Sequence, residues 1–165
     1  MDTLTQLEVV ERIVVALVLG AALGYERERS NKPAGLRTYA LVAEGAALFM
    51  IGSILLGEQV RATGDPYDPS RIASTVVQGI GFLAGGAILS AGGKIMGLTT
   101  AAGIWVTAAV GLLVGAGFYV AAIAATVATF IVLSALGWLE YRLRPEDEGP
   151  GYDVADGEES EKQGG

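Results

Sequence analysis

The chain has 165 residues, of which 52% are hydrophobic, and its formal net charge is −7. It has no cysteine and no histidine, which excludes disulfides, thiol chemistry, zinc sites with Cys or His ligands and acid–base catalysis by histidine. Residues 145–165 hold eight carboxylates and one lysine, which account for the acidic excess, and no basic stripe remains elsewhere to bind a nucleic acid.

Long uncharged blocks dominate residues 1–144, where a soluble domain would alternate apolar and polar positions. A helix needs roughly 20 apolar residues to cross a bilayer core. In chain order the blocks predict five membrane-spanning helices, near residues 8–25, 37–57, 71–91, 98–114 and 118–139. The predicted fold class is therefore all-α, a polytopic membrane helix bundle, followed by an acidic disordered cytoplasmic tail at 145–165.

The first predicted span has only 13 uncharged residues, so it crosses the membrane only with Glu11 and Arg12 at the interface. We expect it not to be a cleaved signal peptide, because residues 1–11 carry no Lys or Arg. The last two spans come from one uncharged run of 45 residues, in which Gly115-Ala116-Gly117 is the strongest break near the middle.

Lys and Arg side chains fall unevenly on the two sides of this arrangement. One side of the membrane has three of them, Arg12, Arg61 and Arg71. The side that carries the first loop and the C-terminus has seven, namely Arg27, Arg29, Lys32, Arg37, Lys94, Arg142 and Arg144. Because positively charged loops stay in the cytoplasm, we expect the first loop and the C-terminus there and the N-terminus outside. The chain is thus predicted to be a multi-pass protein of the lipid bilayer, with residues 58–70 as an external turn.

Glu44 is the only carboxylate well inside a predicted span. A charge at that depth is costly and commonly marks a functional site. Two structural explanations stay open, namely an ion pair with Arg37 or Arg71 and protonation of the carboxyl group. Gln78 lies within the third span, where a hydrogen bond between helices is the favoured role.

Glycines recur at helical spacing inside the predicted spans. Close approach of helix backbones in membranes uses such rows of small residues. The predicted packing positions are Gly20, Gly24, Gly81, Gly85, Gly103, Gly111 and Gly115. Packing within one chain is favoured over dimerisation, and a homo-oligomer stays open.

Three stretches resemble the MgtC/SapB family of bacterial membrane proteins. They read GYERER (24–29) with PAGLRT (33–38), VQGIGFL (77–83), and GLTTAAGIWVTAA (97–109). The similarity runs in order and with matching spacing from about residue 10 to about residue 140. By likeness, the characteristic positions of the family fall on Glu26, Arg29, Gly35, Arg37, Thr38, Gly79, Gly81, Thr99 and Thr100.

The resemblance implies a protein of the bacterial inner (plasma) membrane that is linked to growth in low magnesium and, in some pathogens, to survival inside host cells. It implies regulation of other membrane proteins, which would be its partners, rather than transport. The resemblance and the polar residues inside the spans together give seven candidate functional residues, namely Glu26, Arg29, Arg37, Glu44, Gln78, Thr99 and Thr100.

The sequence departs from the family pattern at several points. Tyr39 stands where a histidine is usual, residues 84–86 read AGG rather than GAG, and Glu44 replaces an apolar residue. Many relatives carry a folded C-terminal cytoplasmic domain, whereas an acidic tail follows the last span here, so we expect a short form of the family.

Two functions follow, in order of preference. The first is a non-enzymatic regulator of magnesium homeostasis, and the second is a transporter of Mg²⁺ or a small solute, in which several copies place Glu44 around an axis. An intramembrane enzyme ranks last, since the sequence offers no nucleophile–base pair. We predict no catalytic residue and no cofactor, and the metal ligands stay unassigned.

Overall fold

The computed structural model describes residues 4–64, 66–68, 70–91, 94–136, 139 and 142. The predicted tail at 145–165 lies outside them. As predicted, the described chain is almost entirely helical. Its helices are α1 (Gln6–Arg29), α2 (Leu36–Arg61), α3 (Ser70–Gly86), α4 (Leu98–Gly115) and α5 (Tyr119–Ile131), which continues as a π-helical turn over Val132–Leu136. Strands β1 (Leu89–Ala91) and β2 (Lys94–Met96) pair as an antiparallel hairpin between α3 and α4.

Among the residues that the structure describes, three helices are long and apolar enough to cross a membrane, namely α2, α4, and α5 with its π-helical turn. α3 has only 17 residues. Every stretch of 18 residues in α1 includes at least three charged side chains. Length and composition therefore support three of the five predicted spans directly, and the five-span topology stays a prediction.

The third helix is shorter than the sequence predicts. The predicted span reaches residue 91, but α3 ends at Gly86 and residues 89–91 form β1 instead. Paired glycines are poor helix formers, and Gly85-Gly86 stand where the helix ends. Gly97, the residue before α4, has a φ of +88°, and a Cβ there would collide with the carbonyl oxygen of Ala87. This turn therefore requires glycine.

The core lies where α1, α2 and α4 meet, and it is built mostly from small residues. Ala16, Ala43 and Ala47 of α1 and α2 are completely buried, and so is Val110 of α4. A Cβ on Gly20 would lie 2.6 Å from the carbonyl oxygen of Tyr39. The three backbones are therefore in near contact, as the helical spacing of small residues predicts.

The seven glycines predicted to pack divide into two groups. Five lie at close helix contacts, namely Gly20, Gly24, Gly103, Gly111 and Gly115. A Cβ added to Gly81 or Gly85 would meet open space. Among the described residues, these two glycines of α3 lie outside the close helix contacts, and their role in packing stays a prediction.

Ring packing and short hydrogen bonds hold the loop from α2 to α3 in place. The ring of Tyr67 lies against Gly57, and the Tyr67 and Ser53 hydroxyls hydrogen-bond at 2.9 Å. Asp68 Oδ1 accepts hydrogen bonds from the hydroxyl of Ser70 at 2.7 Å and from its backbone N–H at 2.9 Å. These bonds hold the pKa of Asp68 below its ordinary value. They also place Ser70 as the first residue of α3.

The first turn of α2 is capped by a side chain from α1. Gly35, the residue before α2, has no side chain to cap it, and Glu28 Oε2 accepts the Leu36 N–H at 3.0 Å instead. A carboxylate at a helix N-terminus satisfies a free N–H and opposes the positive end of the helix dipole.

We expect Glu28→Ala to lower the free energy of unfolding by about 1 kcal/mol, the usual value of an N-cap. Glu28→Gln keeps an acceptor oxygen and should lose less. Denaturant unfolding of the detergent-solubilised protein, followed by circular dichroism, measures both. Equal stability of Glu28→Ala and the wild type would contradict the role of Glu28 as a cap.

Candidate functional site

A buried polar cluster lies where the end of α1 meets the starts of α2 and α4. It consists of Glu26, Arg27, Tyr39 and Thr100. Glu26 and Arg27 are only 7% and 4% exposed, and Tyr39 is completely buried. Side chains of this polarity are rarely buried unless they are paired, so their contacts define the site.

Thr100 is the point where the three helices meet in this cluster. Arg27 Nη2 donates a hydrogen bond to Thr100 Oγ1 at 2.9 Å, and the Tyr39 hydroxyl donates to the Thr100 carbonyl at 3.4 Å. Arg27 Nη1 lies 3.9 Å from Glu26 Oε2. Ser30 Oγ donates to Glu26 Oε1 at 2.9 Å. The cluster thus joins α1, α2 and the first turns of α4 through polar contacts.

Two glycines make room for these side chains. A Cβ on Gly103 would collide with the Tyr39 hydroxyl, and a Cβ on Gly24 would lie 2.6 Å from Leu36 Cα. Glycine at these positions lets α2 approach both α1 and α4 at this end of the bundle. The ring and hydroxyl of Tyr39 fill the space beside Gly103.

The cluster keeps one acceptor and one donor unused. Within the described chain, Glu26 Oε2 and Arg27 Nε are buried and have no hydrogen-bond partner. A buried polar atom without a hydrogen bond costs free energy, so this ion pair is sensitive to any change in its surroundings. Chemically, the arrangement is suited to fixing the relative position of three helices.

The structure separates the predicted candidates into two groups. Glu26 and Thr100 belong to the buried cluster, whereas the remaining predicted candidates lie outside it. Four of these are exposed, namely Arg29, Arg37, Gln78 and Thr99. Glu44 is half-buried on α2.

Prediction from the sequence missed Arg27 and the role of Tyr39. A signal for Arg27 was present, because Ala16, Gly20, Leu23 and Arg27 follow the spacing of one helix face, and all four are buried. Arg29 is two residues further along, which places it on the opposite side of α1.

Glu44 has no hydrogen bond or ion pair with any residue that the structure describes. Neither of the two predicted partners, Arg37 and Arg71, pairs with it. Across the described ranges, no group of three or more Asp, Glu, His or Cys side chains comes close enough to hold a metal ion.

At the other end of α1, Arg12 contacts the turn between α4 and α5. Its Nη1 donates to the carbonyl oxygen of Gly115 at 2.6 Å. Gly115 is the last residue of α4, so the cation faces the negative end of a helix dipole. Gly117, with a φ of +87°, lies beneath the guanidinium, and a Cβ there would be 3.0 Å from Nη2. This hydrogen bond connects the C-terminal end of α4 to α1.

Comparison with known proteins finds one matching family model, described as the MgtC family, over residues 13–142. The putative magnesium transporter YhiD of Escherichia coli K12 is 44% identical over 137 residues, which are 82% of this chain and 64% of that protein. The uncharacterized protein slr0014 of Synechocystis is 46% identical over 125 residues, 76% of this chain and 50% of that protein. Protein MgtC of Salmonella typhimurium LT2 is 44% identical over 115 residues, 70% of this chain and 46% of that protein.

The chain spans about half to two thirds of the length of these relatives. No solved structure matches it.

Proposed function

Because the chain belongs to the MgtC family, we propose that it is a non-enzymatic inner-membrane protein that supports magnesium homeostasis by regulating other membrane proteins. In this proposal the five helices all cross the membrane, with the N-terminus outside and the C-terminus in the cytoplasm. One relative is named putative magnesium transporter YhiD, and this name supports a role connected with magnesium.

The packing of α1, α2 and α4 is the observation that supports regulation over transport. At Gly20, Gly24, Gly111 and Gly115, an added Cβ would lie closer than 3.0 Å to atoms of the neighbouring helix. Mg²⁺ gives up its water shell reluctantly and needs several oxygen ligands along its path. Helices in near contact leave no space for such an ion between them.

The second candidate is the transporter with several copies of Glu44 around an axis. The observation that favours it is the position of Glu44, half-buried and without a partner in the described chain. Such a pathway would lie between copies rather than through the bundle.

Flux and growth measurements separate the two functions. We expect the purified chain in proteoliposomes to pass no more Mg²⁺ than empty vesicles, as followed with a trapped magnesium-sensitive dye. We also expect it to restore growth at low magnesium to a bacterial strain that lacks its own copy. Flux above the empty-vesicle level that disappears in Glu44→Ala would overturn the regulatory role and establish transport.

A further inference from the structure

The outer face of α2 combines a carboxylate with two glycines. We define this face by Leu41, Glu44, Gly45, Leu48 and Gly52, which follow the spacing of one helical stripe. Leu41 and Leu48 are exposed, and a Cβ on either glycine would meet open space. In the described part of the chain, Glu44 and the two glycines are half-buried, and the face is partly exposed along about three turns.

Glu44 makes this face unsuited to lipid alone. α2 is 26 residues long and meets the length and composition of a membrane span, and Glu44 stands eight residues after its start. That places the carboxylate about 12 Å along the helix axis, inside the apolar segment. Arg37 is seven residues earlier, about 10 Å along the axis, and forms no ion pair with it. A charge at this depth ordinarily pairs with another group.

We infer that the outer face of α2 binds a membrane-spanning helix of a partner protein, and that this helix carries an Arg or Lys at the depth of Glu44. Charge complementarity selects this occupant, since a second copy would bring another Glu44 toward the first and like charges repel. Gly45 and Gly52 let the partner backbone approach closely, as small residues do at helix contacts in membranes. This inference rests on the proposed regulatory function and names the chemistry of its partner.

Designed peptides in vesicles test the inference directly. The chain has no cysteine, so one cysteine added after Gly165 carries a single dye. The purified protein is placed in vesicles of phosphatidylethanolamine and phosphatidylglycerol. Single-span peptides of about 20 Leu and Ala residues carry Arg, Leu or Glu at the depth of Glu44. Energy transfer between dyes on peptide and protein reports binding.

We expect the Arg peptide to bind about tenfold more tightly than the Leu peptide. Glu44→Gln should remove this preference, and Glu44→Lys should transfer it to the Glu peptide. Gly45→Leu should weaken binding by adding a side chain where the partner backbone approaches. Gly79→Leu, a matched glycine with open space on α3, should leave binding unchanged. Helix content by circular dichroism confirms that each variant is folded.

Equal binding of the Arg and Leu peptides, or a preference that survives Glu44→Gln, would overturn the inference. So would energy transfer between two labelled copies that depends on Glu44, because the occupant would then be a second copy. Peptide binding is measured without magnesium, so its result is independent of the growth and flux experiments. If the peptides do not bind but growth is rescued, the inferred partner helix is wrong and the regulatory function stands. If the peptides bind but Glu44-dependent flux appears, the regulatory function is wrong.

Discussion

Replacing Arg27 by leucine is expected to lower the free energy of unfolding by about 3–5 kcal/mol, the usual loss when one partner of a buried ion pair is removed. Arg27 is 4% exposed, and its guanidinium contacts both Glu26 and Thr100. Without it, the Glu26 carboxylate would remain buried, with the Ser30 hydroxyl as its one partner among the described residues. Denaturant unfolding in detergent, followed by circular dichroism, measures the loss.

Arg29→Leu is the matched control, because Arg29 is exposed on the same turn of α1. Its effect should stay within about 0.5 kcal/mol. Replacing both Glu26 and Arg27 by leucine should recover most of the lost stability, since an apolar pair of similar size avoids the unpaired charge. Similar losses in Arg27→Leu and Arg29→Leu would show that the buried cluster does not hold the helices together.

Gly111→Ala is expected to destabilise the protein by about 3 kcal/mol, at the upper end of the usual cost of overpacking. A Cβ at this position would collide with the backbone of Ala43, which cannot move away as the end of a flexible side chain can. The substitution must therefore push α2 and α4 apart along the centre of the core. The same unfolding measurement applies.

The control substitution, Gly81→Ala, is expected to raise the stability of the protein rather than lower it. Gly81→Ala adds a Cβ into open space on α3, so it should stabilise the helix by about 0.5–1 kcal/mol through the lower conformational freedom of alanine. If both substitutions change stability equally, the close contact at Gly111 is not a determinant of the fold.

The family and the helical fold could be predicted from the sequence. Three motif stretches pointed to the MgtC/SapB family, and the match over residues 13–142 confirms this prediction. Helices α2, α4 and α5 fall where long uncharged blocks lie, because these blocks are long and apolar enough to cross a membrane. Glycine spacing also indicated the contacts at Gly20 and Gly111, since close helix packing demands small residues.

The loop between α1 and α2 could not be predicted in detail. Asn31 and Ala34 both have positive φ angles, 49° and 58°, which residues other than glycine rarely adopt. This conformation accompanies the Glu28 contact that caps α2. Local sequence preference contains no information about a cap supplied from another helix.

The sequence by itself determined the apolar blocks, the packing glycines and the likeness to a family, because these are properties of composition and spacing along the chain. Only the tertiary structure decided that Arg27 is buried and Arg29 exposed, and that Glu44 has no partner among the described residues. Each residue turns the helix by about 100°, so neighbours in sequence face different surroundings. Whether a given residue faces another helix or the outside of the bundle depends on where the other helices lie.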